Sequence, residues 1–247
     1  MEEPERKSML HFVESNRASD ICRLIYCAKT NESSDHVLKA FSLAAKEYSS
    51  EAVTGLLLVY PQYLVHLIEA PEEEIFQLCR YLFVKCSPFT GRTKCFPAQV
   101  EAGGRFFNKW YGRKASEYNF TQEKQPPNDN LEDNFEIAST TYKRTLLNLY
   151  QFYRELRLLS DKNHKLMVER LESLNEDGHR LLACSATMEF ILNSRWGQSV
   201  QELTDHFLNP VSVDPNTAWP IPKITLPRVD FQKIDGMKDE LKRSSTS

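Results

Sequence analysis

Val53-Thr54-Gly55-Leu56-Leu57-Leu58-Val59-Tyr60-Pro61-Gln62-Tyr63-Leu64-Val65-His66-Leu67-Ile68-Glu69 decides the fold of this chain. The runs 53–60 and 63–69 are rich in β-favouring residues, and Pro61-Gln62 between them is turn-sized, so the stretch predicts a hairpin. Within the first run Val53, Leu57 and Val59 alternate with Leu56, Leu58 and Tyr60, which makes both parities apolar. A strand of that kind is covered on both faces of its sheet.

Upstream, Ile21-Cys22-Arg23-Leu24-Ile25-Tyr26-Cys27-Ala28 predicts a first strand, closed by the polar break Thr30-Asn31-Glu32. Ser33, Ser34 and Asp35 supply N-cap chemistry, and apolar residues at 37, 38, 41, 44, 45 and 48 recur at helical spacing. Downstream, Pro71 at a first helical position, glutamates at 72–74 and apolar Ile75, Phe76, Leu78 and Leu82 predict a second helix. Strands are expected at 96–101 and around 106–111. The order βαββαββ gives an α+β, ferredoxin-like sandwich: a five-stranded mixed sheet with two helices on one face. Two helices cover only one face, so the second cover is expected from further along the chain.

That cover is sought beyond a polar connector with Pro126-Pro127, in a long amphipathic helix carrying Tyr142, Leu146, Leu149, Tyr153 and Leu156. Shorter helices follow, and Ser199 with Glu202 forms a capping box for a last one. The resulting division is a polar N-terminal arm 1–19, a sandwich 20–113, a linker 114–135, a helical extension 136–208 covering the other sheet face, and a Pro-rich extended tail 209–247. The tail carries Trp219, Ile221, Ile224, Leu226 and Phe231 among prolines, an apolar strip suited to a groove on its own domain or on a protein partner.

Over 247 residues, 41% hydrophobic and 26% charged residues are ordinary globular values, and the net charge of −3 offers no field for nucleic acid. No apolar run is long enough to span a bilayer, and the acidic Met1–Glu5 start does not resemble a secretory leader, so a cytoplasmic protein without membrane contact is expected. Six cysteines show no CxxC pair and are expected as reduced thiols. His66 and Glu69 lie on opposite faces of a strand and cannot share one metal. Asn128 to Asp133 lacks the turn glycine of a calcium loop. No phosphate loop, GxSxG elbow or nucleophile with a visible base occurs, so neither catalytic nor metal residues are expected and the chain is not expected to be an enzyme.

Arg23-Leu24-Ile25-Tyr26, Val53 to Leu58, Leu64 to Pro71, and Phe107 with Trp110 together resemble the BLUF family of flavin-binding blue-light sensors, over roughly residues 20–113. The resemblance implies a flavin between the two helices, with Tyr26, Tyr48, His66 and Trp110 around FAD. Tyr26 and Trp110 match the family's tyrosine and tryptophan. His66 stands at its glutamine position, Tyr48 at its asparagine and Gly112 at its methionine. Glutamine offers donor and acceptor on one amide, whereas imidazole fixes them at opposite ring sites, so switching of the family type is expected to fail. Without a flavin, Tyr26 and His66, on the inner parity of adjacent strands, are expected as a hydrogen-bonded pair in a core.

Glu51 to Pro61, Phe107 with Trp110, and Ser212 to Pro215 through Trp219-Pro220-Ile221-Pro222 also resemble the testis-expressed protein 47 family. That resemblance implies male germ cells or ciliated cells as a setting and no reaction. The expected function is a non-enzymatic interaction or structural module of ciliary or flagellar assemblies, without cofactor, forming a homodimer or docking on a larger partner. The alternative is a flavin-binding light or redox sensor that uses FAD.

Overall fold

The first strand, β1 (Ile21–Thr30), runs two residues beyond its apolar stretch before the chain turns into α1 (Ser34–Tyr48). The computed structural model describes residues 21–48, 52–118 and 134–209, all within one compact unit ending at Pro210; Val211–Ser247 is a separate unit outside the described residues. The hairpin is formed by β2 (Thr54–Val59) and β3 (Tyr63–Ala70), closed by Tyr60 N–H donating to the Tyr63 carbonyl at 2.8 Å. Then come α2 (Glu72–Cys86), β4 (Thr90–Cys95), β5 (Gln99–Ala102), β6 (Trp110–Lys114), α3 (Phe135–Lys162), α4 (His164–Asp177), α5 (Ser185–Asn193) and α6 (Val200–Leu208).

The sheet order is β4-β1-β3-β2-β6, with β5 paired to β1 off this path; β2–β6 is parallel and the other pairs are antiparallel. Alternation divides the core in two. Leu24, Tyr26, Leu57, Leu64 and Ile68 face Val37, Phe41, Ile75 and Leu78 of α1 and α2. Ile25, Leu56, Leu58, Val65 and Leu67 face Tyr142, Phe152, Tyr153, Leu171 and Phe190 of α3, α4 and α5. This is why both parities of β2 are apolar.

Four expectations shift. Pro71 is the N-cap of α2 rather than its first helical residue. The strand expected at 96–101 is the short β5, starting only after Pro97, which has no N–H to give a ladder, and it is preceded by a polar edge strand, β4, where none was expected. The strand expected around 106–111 begins at Trp110, because Phe106 and Phe107 enter the core from the preceding loop. The helical extension covers the second face with α3 to α5, while α6 returns to the first: Phe207 stacks on Phe76 of α2 at 4.1 Å. Ser199 and Glu202 form the expected capping box.

The segment leading into α6 lies along β4. Cys95 N–H donates to the Gln198 carbonyl (2.9 Å), Lys94 Nζ to the Gly197 carbonyl (2.7 Å), Arg92 to Asn193 Oδ1 (2.9 Å), and Val200 N–H to Thr93 Oγ1 (3.1 Å).

Gly55 is fixed by its neighbour. It has φ +150°, and a Cβ there would stand 2.0 Å from the Leu67 carbonyl oxygen of the paired strand. Gly55→Ala is expected to cost about 3 kcal/mol or more, read as a drop in the thermal midpoint; an unchanged midpoint would show that the strands part at no cost.

Candidate functional site

Tyr26 and His66 are register partners on β1 and β3, so their side chains share the face under α1 and α2. Tyr26 Oη and His66 Nδ1 are 2.9 Å apart, and Trp110 Nε1 of β6 donates to His66 Nε2 at 2.9 Å. An indole N–H only donates, so Nε2 is the bare nitrogen, Nδ1 carries the proton, and that proton goes to the Tyr26 oxygen. Phe41 closes the other side with its ring 6.2 Å from the imidazole, edge-on. His66 is 0% and Tyr26 1% exposed. Burial pushes His66 down to about 3 and pushes the Tyr26 phenol well above its ordinary range, with the Cys79, Cys86 and Cys95 thiols adding to the latter. Both rings stay neutral at physiological pH and serve as a hydrogen-bonded tie between strands.

Trp110 reaches His66 across β2, whose Leu57 pairs with both His66 and Gly112. The indole lies over Gly112: a Cβ there would stand 2.8 Å from Leu38 Cδ1 and 2.9 Å from Trp110 Cη2. The missing side chain is what admits the indole.

Tyr48 is not part of this set. Its hydroxyl donates to Glu74 Oε2 at 2.9 Å, joining α1 to α2, and partial burial with that carboxylate pushes its pKa up to about 12. Tyr48 and Trp110 share a recess of about 490 Å³ with Ala45, Val53, Leu78 and Asn108; neither Tyr26 nor His66 lines it. With both nitrogens of His66 engaged and Tyr26 sealed beside it, these residues as placed do not fit a flavin ring held against them. Trp219, Ile221, Ile224, Leu226 and Phe231 lie outside the described residues.

Sequence reasoning passed over a second polar set, on the opposite face. Glu69, 0% exposed, accepts from Arg23 Nε at 2.8 Å, from the Phe106 N–H at 2.8 and 3.0 Å, from the Phe107 N–H at 3.1 Å and from Thr54 Oγ1 at 3.4 Å. Arg105 adds bonds to the Glu69 carbonyl and Thr54 Oγ1, each 2.8 Å. The signal was a lone charge inside each of two adjacent apolar strands, where burial demands a partner. His66 and Glu69 point to opposite faces as strand alternation requires, and among the described residues no group of three His, Cys, Asp or Glu side chains could hold a metal. All six cysteines are free, and all but Cys184 are buried.

Because the folded state holds His66 neutral, its contribution to stability is complete above pH ~6.5 and declines as pH falls toward about 3, where the unfolded chain takes up a proton that the folded chain refuses. Urea midpoints measured from pH 7 to pH 4 should therefore fall less steeply in His66→Phe than in the parent; parallel slopes would mean that His66 is accessible to protons. Gly112→Met should expel the indole from beside His66, seen as red-shifted tryptophan emission, and unaltered emission would show that Trp110 does not depend on the glycine.

Comparison with curated proteins gives no match. Similar solved structures include BlrB, a BLUF protein in its dark state (19% identical, TM-score 0.31, covering 38% of this chain and 71% of that one), and a bacterial light-regulated adenylyl cyclase (18%, TM-score 0.34, 64% and 40%). BlsA in its photo-activated state is similar too (14%, TM-score 0.33, 70% and 92%). The match to the cyclase spans less than half of that protein's length. The family model described as Testis-expressed protein 47 matches residues 20–208, most of the chain, and the chain belongs to that family.

Proposed function

We propose that this chain is a non-enzymatic interaction or structural module, a BLUF-like sandwich that has lost the residues for flavin photochemistry, serving male germ cells or ciliary and flagellar assemblies. One observation carries the reading: both ring nitrogens of a fully buried His66 are engaged, by Tyr26 and by Trp110. A switch of the BLUF type needs an amide that exchanges donor and acceptor with a bound dye, and an imidazole pinned at both nitrogens has neither role to spare. The same pinning argues against acid–base catalysis, since an imidazole that stays neutral down to about pH 3 takes up no second proton at physiological pH, and its one N–H and one bare nitrogen are both engaged. With no chemistry assigned to this core, the fold serves as a scaffold, and the tail strip of Trp219, Ile221, Ile224, Leu226 and Phe231 is the segment we assign to a protein partner or a second copy.

Absorbance tests the first half. The purified chain, titrated with FAD, is expected to show no structured flavin band and no red shift on blue illumination; stoichiometric flavin with a light-driven shift would overturn the reading in favour of a sensor. Affinity purification from testis tests the second half. A stoichiometric partner or self-association, lost when Trp219 and Ile221 are replaced by Ser while the melting transition is kept, is expected. A solitary monomer in native extract would overturn it.

A further inference from the structure

On the sheet face opposite the His66 set, a groove runs between α3 and the loops flanking β5. One end is a pocket of about 350 Å³ where Arg23, Arg154 and Arg157 converge beside Gly103 and Gly104. It continues into a wider trough of about 750 Å³, walled largely by Pro97, Phe106, Leu146 and Tyr150. Arg23, Phe106 and Arg154 belong to both walls, so the two spaces adjoin.

The basic end is preorganised. Arg23, 7% exposed, is held at Nε by Glu69, at Nη1 by Gln99 (2.9 Å) and at Nη2 by the Gly104 carbonyl, with its guanidinium 4.0 Å over the Phe106 ring. These bonds take three of the five N–H groups a guanidinium carries, and two remain. Arg154 and Arg157 are exposed and one turn apart on α3, so they face the same way. Gly103 has open space where a Cβ would be, and Gly104 has only the Arg157 guanidinium within reach, at 3.5 Å, so neither glycine puts a side chain into the space in front of the arginines. Carboxylates offset part of the charge. Glu69 balances Arg23, Asp161, which also lines the pocket, approaches Arg157 at 4.0 Å, and Arg154 pairs with no carboxylate among the described residues, so the basic end keeps a net positive charge.

We infer that this groove binds a small phosphate-bearing molecule with a flat ring, of the nucleotide class. Three guanidinium forks arriving from two elements suit a tetrahedral anion with several oxygens, which planar N–H pairs grip from different sides. Next to them, Phe106 and Tyr150, with centroids 6.0 Å apart, and Leu146 and Pro97 supply the apolar and aromatic wall a ring needs. The site does not share a residue with the His66 set, so it stands or falls independently of the proposed function.

Calorimetric titration of the full chain at low salt with ATP, adenosine and inorganic phosphate tests it. ATP is expected to bind, and phosphate and adenosine each at least about tenfold more weakly. Arg154→Ala with Arg157→Ala should weaken ATP by about tenfold or more while leaving the thermal midpoint unchanged. Tyr150→Ala should weaken ATP but not phosphate. No binding of ATP, binding undiminished in the double-arginine variant, or phosphate binding as tightly as ATP would each overturn the assignment.

Discussion

A carboxylate sealed from water, Glu69, is the constraint on which most of this structure depends. Taking an acid and a guanidinium out of solvent is costly and is tolerated only when the remaining lone pairs are met. Here the acid accepts not only from Arg23 but from two successive backbone N–H groups, those of Phe106 and Phe107. The loop before β6 is thereby nailed to the middle of the sheet. Phe107 is delivered to the core under α3, and three residues later Trp110 emerges on the other face at the right height to meet His66. Arg23, held in turn, presents a fixed fork to the groove.

The two polar sets occupy the same strand pair three residues apart, Tyr26 opposite His66 and Arg23 opposite Glu69, one on each face. Most of the sheet is apolar on both sides, and an apolar strand buried on both faces has little to choose between neighbouring registers. Slipping β1 by one residue along β3 would set Arg23 under α1 and α2 and turn Tyr26 away from the imidazole. The buried polar pairs thus act as pins for pairing that hydrophobicity alone leaves loose.

How far this was legible in the sequence follows from which signals are local. The hairpin, the helical stripes and the shared parity of Tyr26 and His66 are periodic and appear directly in the residue order. The strand Thr90–Cys95 escaped because Thr-Gly-Arg-Thr-Lys-Cys has no apolar alternation; its place is granted by β1 on one side and by 193–200 on the other. The bond from Trp110 to His66 spans 44 positions and depends on a glycine whose only contribution is absence, which no pattern of side chains announces. Tyr48 stands, in linear order, where the resemblance places an asparagine, yet its hydroxyl is drawn to Glu74 by the close packing of α1 on α2.

The strip 193–200 that lies along β4 has a meaning beyond the geometry of one molecule. An uncovered border strand offers a ladder of amides onto which another copy can add, the first step toward amyloid-like stacking. This chain blocks that route with a loop gripping Arg92, Lys94 and Cys95. A nick within the loop would therefore do more than loosen α6: it would unmask a template for aggregation.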